Sequence, residues 1–191
     1  TSFSGVSASG NYLVSAGQNS SDLTATSVLV TGTARDSALN DLVLTLPVTN
    51  IADGSNIVID SVAPTITSIT SDKPDGDYTI GELINITINF SESITVTTSL
   101  NVNLDTGGLF TIAGFSGTTA TGVYTVLNGH ASLDLSVSSI SVTGTARDSA
   151  LNNLDTTVPA ININTASNIV ISTIVPEITS ISSSTANGVY A

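Results

Sequence analysis

From Ile84 to Phe90 the chain alternates strictly. Ile84, Ile86, Ile88 and Phe90 are apolar, and Asn85, Thr87 and Asn89 between them are polar. Successive side chains of a strand point to opposite faces, so this stretch predicts a strand over 83–90 with one face buried. A shorter alternation opens at Pro64 and runs through Ile66 and Ile69 to Ser71, where the Pro, Gly and Asp of residues 72–77 predict a turn. Ser91-Glu92-Ser93 is expected to end the strand before it. Apolar alternation resumes over 94–97 and 100–104, turns at Asp105-Thr106-Gly107-Gly108, and continues over 109–115 and 123–127. A loop at 128–132 precedes a long, bent strand over 133–146. A tight loop follows at Asp148–Asn152, and a last strand region reaches Ile171 in two pieces around Ala166-Ser167. Seven or eight short strands with regular turns describe a β-sandwich. No stretch sustains a 3.6-residue apolar period, so almost no helix is expected.

A second pattern lies over the first. VTGTARDSALN at 30–40 returns unchanged at 142–152, 112 residues on. The same offset carries Phe3-Ser4-Gly5 to Phe115-Ser116-Gly117, Tyr12 to Tyr124, Asp22-Leu23 to Asp134-Leu135 and Pro47 to Pro159. It also carries Asn56–Ile59 to Asn168–Ile171 and Ile66–Ile69 to Ile178–Ile181. A period of 112 residues has the size of a domain, not of a solenoid coil, which argues against a parallel β-helix with rungs of 20–30 residues. The chain divides into the end of one unit (1–60), a complete unit (61–172) and the start of a third (173–191). The expectation is a window on a longer tandem array, or a subunit whose ends are completed by neighbours donating strands.

Composition narrows the function. Fifteen acidic residues face three basic ones, giving a formal net charge of −12. Such a charge repels nucleic acid and anionic membrane surfaces. No apolar run is long enough to span a membrane as a helix, so no membrane insertion is expected in these residues. There are no cysteines and one histidine, His130, which removes thiol chemistry and leaves little for a histidine-based triad. His130 itself reads as an exposed loop residue.

The motif set resembles the tandem bacterial immunoglobulin-like repeats of large surface proteins and adhesins. It comprises APTITSI at 63–69, DGDY at 75–78, INFSE at 88–92, the loop at 129–135, GTARDSALN at 144–152 and NIVID at 56–60. The resemblance covers essentially the whole chain. It implies tandem Ig-like β-sandwich domains forming an exported, elongated stalk or fibre at the cell surface, with Ca²⁺ at domain junctions. Where the family's loop carries Gly before its final Asn, this chain has Leu39 and Leu151.

Ig-like topology would bring Asp60 in the linker, Glu92 after the second strand, and Asp148 with Asn152 to one pole. Ca²⁺ takes six to eight oxygens from carboxylates, amides, carbonyls and water, which these four residues can in large part supply. Two other arrangements stand beside this one. Arg147 could neutralise the cluster by pairing with Glu92 or Asp148, and Asp148 could simply cap its own turn. A second acidic set, Asp75, Asp77 and Asp134, is a weaker candidate, and at the second linker Ser172 stands where Asp60 stands at the first, with Glu177 nearby.

Glu92 with Asp148 also fits the residue types of a glycosidase pair. No Trp and few other aromatics accompany it, so no enzyme is expected. The alternative function is a carbohydrate- or surface-binding module, using Thr65/Thr67, Thr95/Thr97 and Thr143/Thr145 as a flat strand array. Threonine is common in exposed strands without such a role. Asn19, Asn85 and Asn89 each begin an N-x-Ser/Thr sequence, a glycan acceptor if the host glycosylates.

Overall fold

The computed structural model describes residues 4–191. It is an all-β protein whose regular strands lie between Ile66 and Ser172. In chain order the elements are α1 (Ile51–Gly54), β1 (Ile66–Ser71), β2 (Gly76–Tyr78), β3 (Leu83–Leu104) and β4 (Leu109–Thr125). They are followed by β5 (Ala131–Ser132), β6 (Val137–Thr143), β7 (Ala146–Arg147), α2 (Ile163–Ala166) and β8 (Ile169–Ser172).

β3 organises the rest. Its first half pairs antiparallel with β1, its second half pairs antiparallel with β6 and β7, and β4 runs antiparallel along its other side. A smaller sheet sets β8 between β2, which is parallel to it, and β5, which is antiparallel. The alternation at 84–90 is real: Ile84, Ile86 and Ile88 have no exposed surface and Phe90 is 6% exposed. Ser91-Glu92-Ser93 does not end the strand, however. β3 passes through it as a single strand, and the register with β4 slips between the Asn89 and Ile94 pairs. A bulge of this kind leaves residues unpaired, bends the strand and increases its twist, and the ladder resumes at Ile94.

Gly122 shows what the bend accomplishes. A Cβ built on it would lie 2.5 Å from the Phe110 ring and 2.8 Å from Ile112 Cγ1. Residues 110–112 and 122 both belong to β4, so the two halves of that strand lie face to face. One apolar cluster fills the space between, with Leu100, Val102, Tyr124, Leu135, Ile163, Ile169 and Ile171 at its centre.

Helix is confined to two four-residue turns, in keeping with the expectation of almost none. α1 and α2 each begin at an asparagine, Asn50 or Asn162, whose side chain accepts from the next backbone N–H in a capping box. The same asparagines bridge to a distant backbone position. Asn162 Oδ1 accepts from Val137 N–H at 3.1 Å, and Asn50 Oδ1 accepts from Ala25 N–H at 3.1 Å. A four-residue helix is too short to leave a period, so its capping residue was the only available signal.

Burial separates the regions of the chain. Among the described residues, every buried one lies between Pro64 and Thr173. Tyr124 has no exposed surface, whereas Tyr12, 112 positions earlier, is 55% exposed. Tyr124 is covered by Gly108 and Thr106 at the β3–β4 turn, and residues 4–60 contain no counterpart of that turn. Burial raises the Tyr124 hydroxyl above its ordinary pKa.

His130 is not a free loop residue. Its Nδ1 accepts from Leu127 N–H at 3.2 Å, which places the ring proton on Nε2, and lies 2.7 Å from the Tyr124 hydroxyl. Gln18 plays the corresponding part earlier in the chain: its Oε1 accepts from Tyr12 at 2.9 Å and from Ser15 N–H at 2.7 Å. An acceptor, not an imidazole, is what the position requires. His130→Gln is therefore expected to leave the melting temperature nearly unchanged. His130→Leu, which takes the acceptor from the Leu127 N–H and leaves the Tyr124 hydroxyl with Thr106 Oγ1 alone, is expected to cost about 1 kcal/mol in chemical denaturation.

Candidate metal centre

Three backbone connections converge on one end of the β1–β8 unit. The segment entering β1 is clamped on two sides: Ser91 N–H donates to the Thr65 carbonyl at 2.9 Å, and Asp155 N–H donates to the Pro64 carbonyl at 2.9 Å. Thr65 N–H donates in turn to Ser91 Oγ at 2.9 Å. In β3, Thr95 pairs with Arg147 of β7. The linker, the β3 bulge and the loop after β7 are thereby brought side by side. The carboxylates of Asp60, Glu92 and Asp148 each present an oxygen within 4.8 Å of the other two.

The loop holding Asp148 is built locally. Asp148 Oδ1 accepts from Asn152 N–H at 2.9 Å, and Oδ2 accepts from Asn152 Nδ2 at 2.8 Å. The same closure forms at Asp36 and Asn40, at 2.8 and 2.9 Å, where no sheet surrounds it. There the Asn40 amide holds the Asp36 carboxyl below its usual pKa. Both loops place leucine in the left-handed region, Leu39 at φ 66° and Leu151 at φ 71°. That conformation costs a non-glycine residue about 1–2 kcal/mol. Leu151 is 69% exposed and gives up little packing if removed. Leu151→Gly is therefore expected to raise stability by about 1 kcal/mol, read as a higher denaturation midpoint with an unchanged slope.

Asn152 belongs to the centre in a role different from the one its residue type suggests. Its Nδ2 donates to Asp148 Oδ2 and, at 3.3 Å, to the Asp60 carbonyl. It ties the loop to the linker. Arg147 does not neutralise the cluster. Its Nε donates to Asn153 Oδ1 at 2.8 Å, and among the described residues the ion pairs are Arg35–Asp41 and Lys73–Glu82.

The electrostatics follow from this geometry. Asp148 is 5% exposed and has no cationic partner. A buried carboxylate in that state is unfavourable unless something positive reaches it. Burial, and after it the charges of Asp60 and Asp148, raise the Glu92 carboxyl above its ordinary pKa. A hard cation is the group this donor set fits. Asp60, Glu92 and Asp148 would hold it, with Asn152 fixing the loop, and the ion would offset the mutual repulsion of the three carboxylates.

The centre also reaches the preceding segment. Ser61 N–H donates to Asn19 Oδ1 at 3.0 Å, Ser61 Oγ donates to the Gln18 carbonyl at 3.0 Å, and Asp60 Oδ1 accepts from Val62 N–H at 3.0 Å. Asp75, Asp77 and Asp134 form no comparable group among the described residues; Asp75 Oδ1 instead accepts from Asn168 N–H at 2.8 Å.

The threonine faces spend their hydrogen bonds within the fold. Thr87 pairs with Thr121 at 3.0 Å, Thr95 with Ser116 at 3.0 Å, and Thr97 with Thr145 at 3.3 Å. Asn85 and Asn89 donate their side-chain amides to Asp72 and Ser68.

No helix among the described residues is long and apolar enough to cross a membrane. No protein-family model, no curated protein and no solved structure matches the chain.

Proposed function

We propose that this chain is a structural segment of a stalk or fibre of an exported cell-surface protein, an adhesin or filament, built of tandem Ig-like β-sandwich units that repeat every 112 residues. Ca²⁺ at the junction between units stiffens the linker. Its partners are the neighbouring repeats of the same chain, and its role is mechanical, not catalytic. The observation that carries this reading is the convergence of Asp60 from the linker with Glu92 and Asp148 from the following unit, all within 4.8 Å. The Ser61 bonds to Gln18 and Asn19 support it further, because an ion held at Asp60 would restrain the preceding segment as well. The face-to-face halves of β4 support a sandwich.

A thermal melt with chelator, Ca²⁺ or Mg²⁺ tests the proposal. Extracellular calcium modules bind with Kd of about 10⁻⁴–10⁻³ M. At ten times that concentration the ion would stabilise the fold by about 1.4 kcal/mol. Mg²⁺ demands octahedral geometry and gives up its water reluctantly, so it is expected to do less. An identical melting temperature in all three conditions would remove the ion from the account.

A further inference from the structure

We propose that the outer edge of β4, from Thr119 to Thr125, pairs antiparallel with the same edge of a second copy of this chain. β4 bonds to β3 on one side only; among the described residues no other segment donates to or accepts from its backbone. Val126 N–H donates to the Glu82 carbonyl, and Ile84 is registered opposite Tyr124. In an antiparallel ladder, bonded residues alternate with residues whose groups point away. The even positions 120–126 thus face β3, and the N–H and C=O groups of Thr119, Thr121, Val123 and Thr125 point outward. The side chains of these four residues are exposed.

Open edges are ordinarily protected by lysine, proline or inward charges. This edge has none, since residues 109–127 contain no ionisable side chain other than Tyr124 and no proline. The chain as a whole carries a net charge of −12. Two such polyanions repel across surfaces that carry carboxylates, and this edge brings none to the contact. It is also self-complementary, as a two-fold contact requires. A two-fold axis at Gly122 sets Thr121 against the partner's Val123 and Thr119 against the partner's Thr125. All four outward residues then find bonding partners at once. The pairing uses no residue of the acidic centre, so it stands or falls apart from the calcium reading.

Sedimentation velocity in chelator across a concentration series tests it, together with directed cross-linking, which the absence of native cysteines makes clean. The expected result is a concentration-dependent dimer whose dissociation constant rises at least tenfold in Thr121→Lys. Mixed Thr121→Cys and Val123→Cys proteins are expected to form a disulfide heterodimer faster than either forms one with an exposed Thr143→Cys control. A monomer at every concentration overturns the proposal. So does a dimer that survives Thr121→Lys, or cross-linking no faster than the control, since association would then run through another surface.

Discussion

Gly122→Ala is expected to destabilise the fold by about 2 kcal/mol, with a fall in melting temperature on the order of 10 °C. The sign makes the experiment informative. Within a strand, glycine to alanine ordinarily gains about 0.5–1 kcal/mol, because glycine loses more freedom on folding. Here the added carbon would meet the Phe110 ring at 2.5 Å and Ile112 at 2.8 Å. Phe110 and Ile112 are 6% and 7% exposed and cannot swing into solvent. The clash exists only because β4 folds back on itself at the bend. Were β3 and β4 a flat hairpin, Phe110 would lie far along the strand from residue 122, and the substitution would be neutral or stabilising. Phe110→Leu made in the Gly122→Ala background is expected to recover part of the loss, giving a coupling energy of about 1 kcal/mol in a double-mutant cycle. A melting temperature that stays level or rises in Gly122→Ala would refute the face-to-face packing.

The strands that alternate cleanly were legible from sequence for a physical reason: β3 buries only one face, so its period of two is written directly into Ile84, Ile86 and Ile88. The passage through Ser91-Glu92-Ser93 was not, because a bulge is polar in sequence like a loop, and only the pairing of Ile94 with Gly117 shows the ladder resuming. α2 was hidden in the same way, four residues giving no period. The three carboxylates of the centre were found by placing loops at one pole of the topology the motifs imply. The direction of Asn152 was beyond reach, since it depends on the Asp60 carbonyl, a residue 92 positions away. Arg147 was equally undecidable, as the sequence offers it Glu92 or Asp148, and the β-bridge to Asn153 settles the matter. His130 reads as an exposed loop residue because the fold alone brings the Tyr124 hydroxyl and the Leu127 N–H to its ring. The Gln at position 18 was the available hint, because His and Gln share an acceptor and little else.

Glu92→Gln is expected to change stability in opposite directions with and without calcium. Without the ion, three carboxylates meet with no cation among them, and burial together with Asp60 and Asp148 raises the Glu92 carboxyl. A carboxyl whose pKa is higher folded than unfolded binds its proton more tightly in the folded state. Its ionisation therefore costs stability as pH rises through the raised value, and that cost disappears on acidification. In chelator at neutral pH the glutamine variant should melt above the parent. The gap should close as pH falls through the raised titration of Glu92, while losses from Asp36 and Asp155, whose carboxyls are held low by hydrogen bonds, are common to both proteins and cancel. With calcium the order reverses. At a hundred times Kd the ion would stabilise the parent by about 2.7 kcal/mol, and a variant lacking one of three carboxylates should keep only a fraction of that. Proton and cation compete for the same oxygens, so calcium affinity of the parent should weaken as pH falls. Asp148→Asn should behave alike towards calcium, whereas Asp134→Asn, outside the centre, should not. A Glu92→Gln protein that melts below the parent in chelator, or that keeps the full calcium response, would show that these carboxylates neither repel one another nor share an ion.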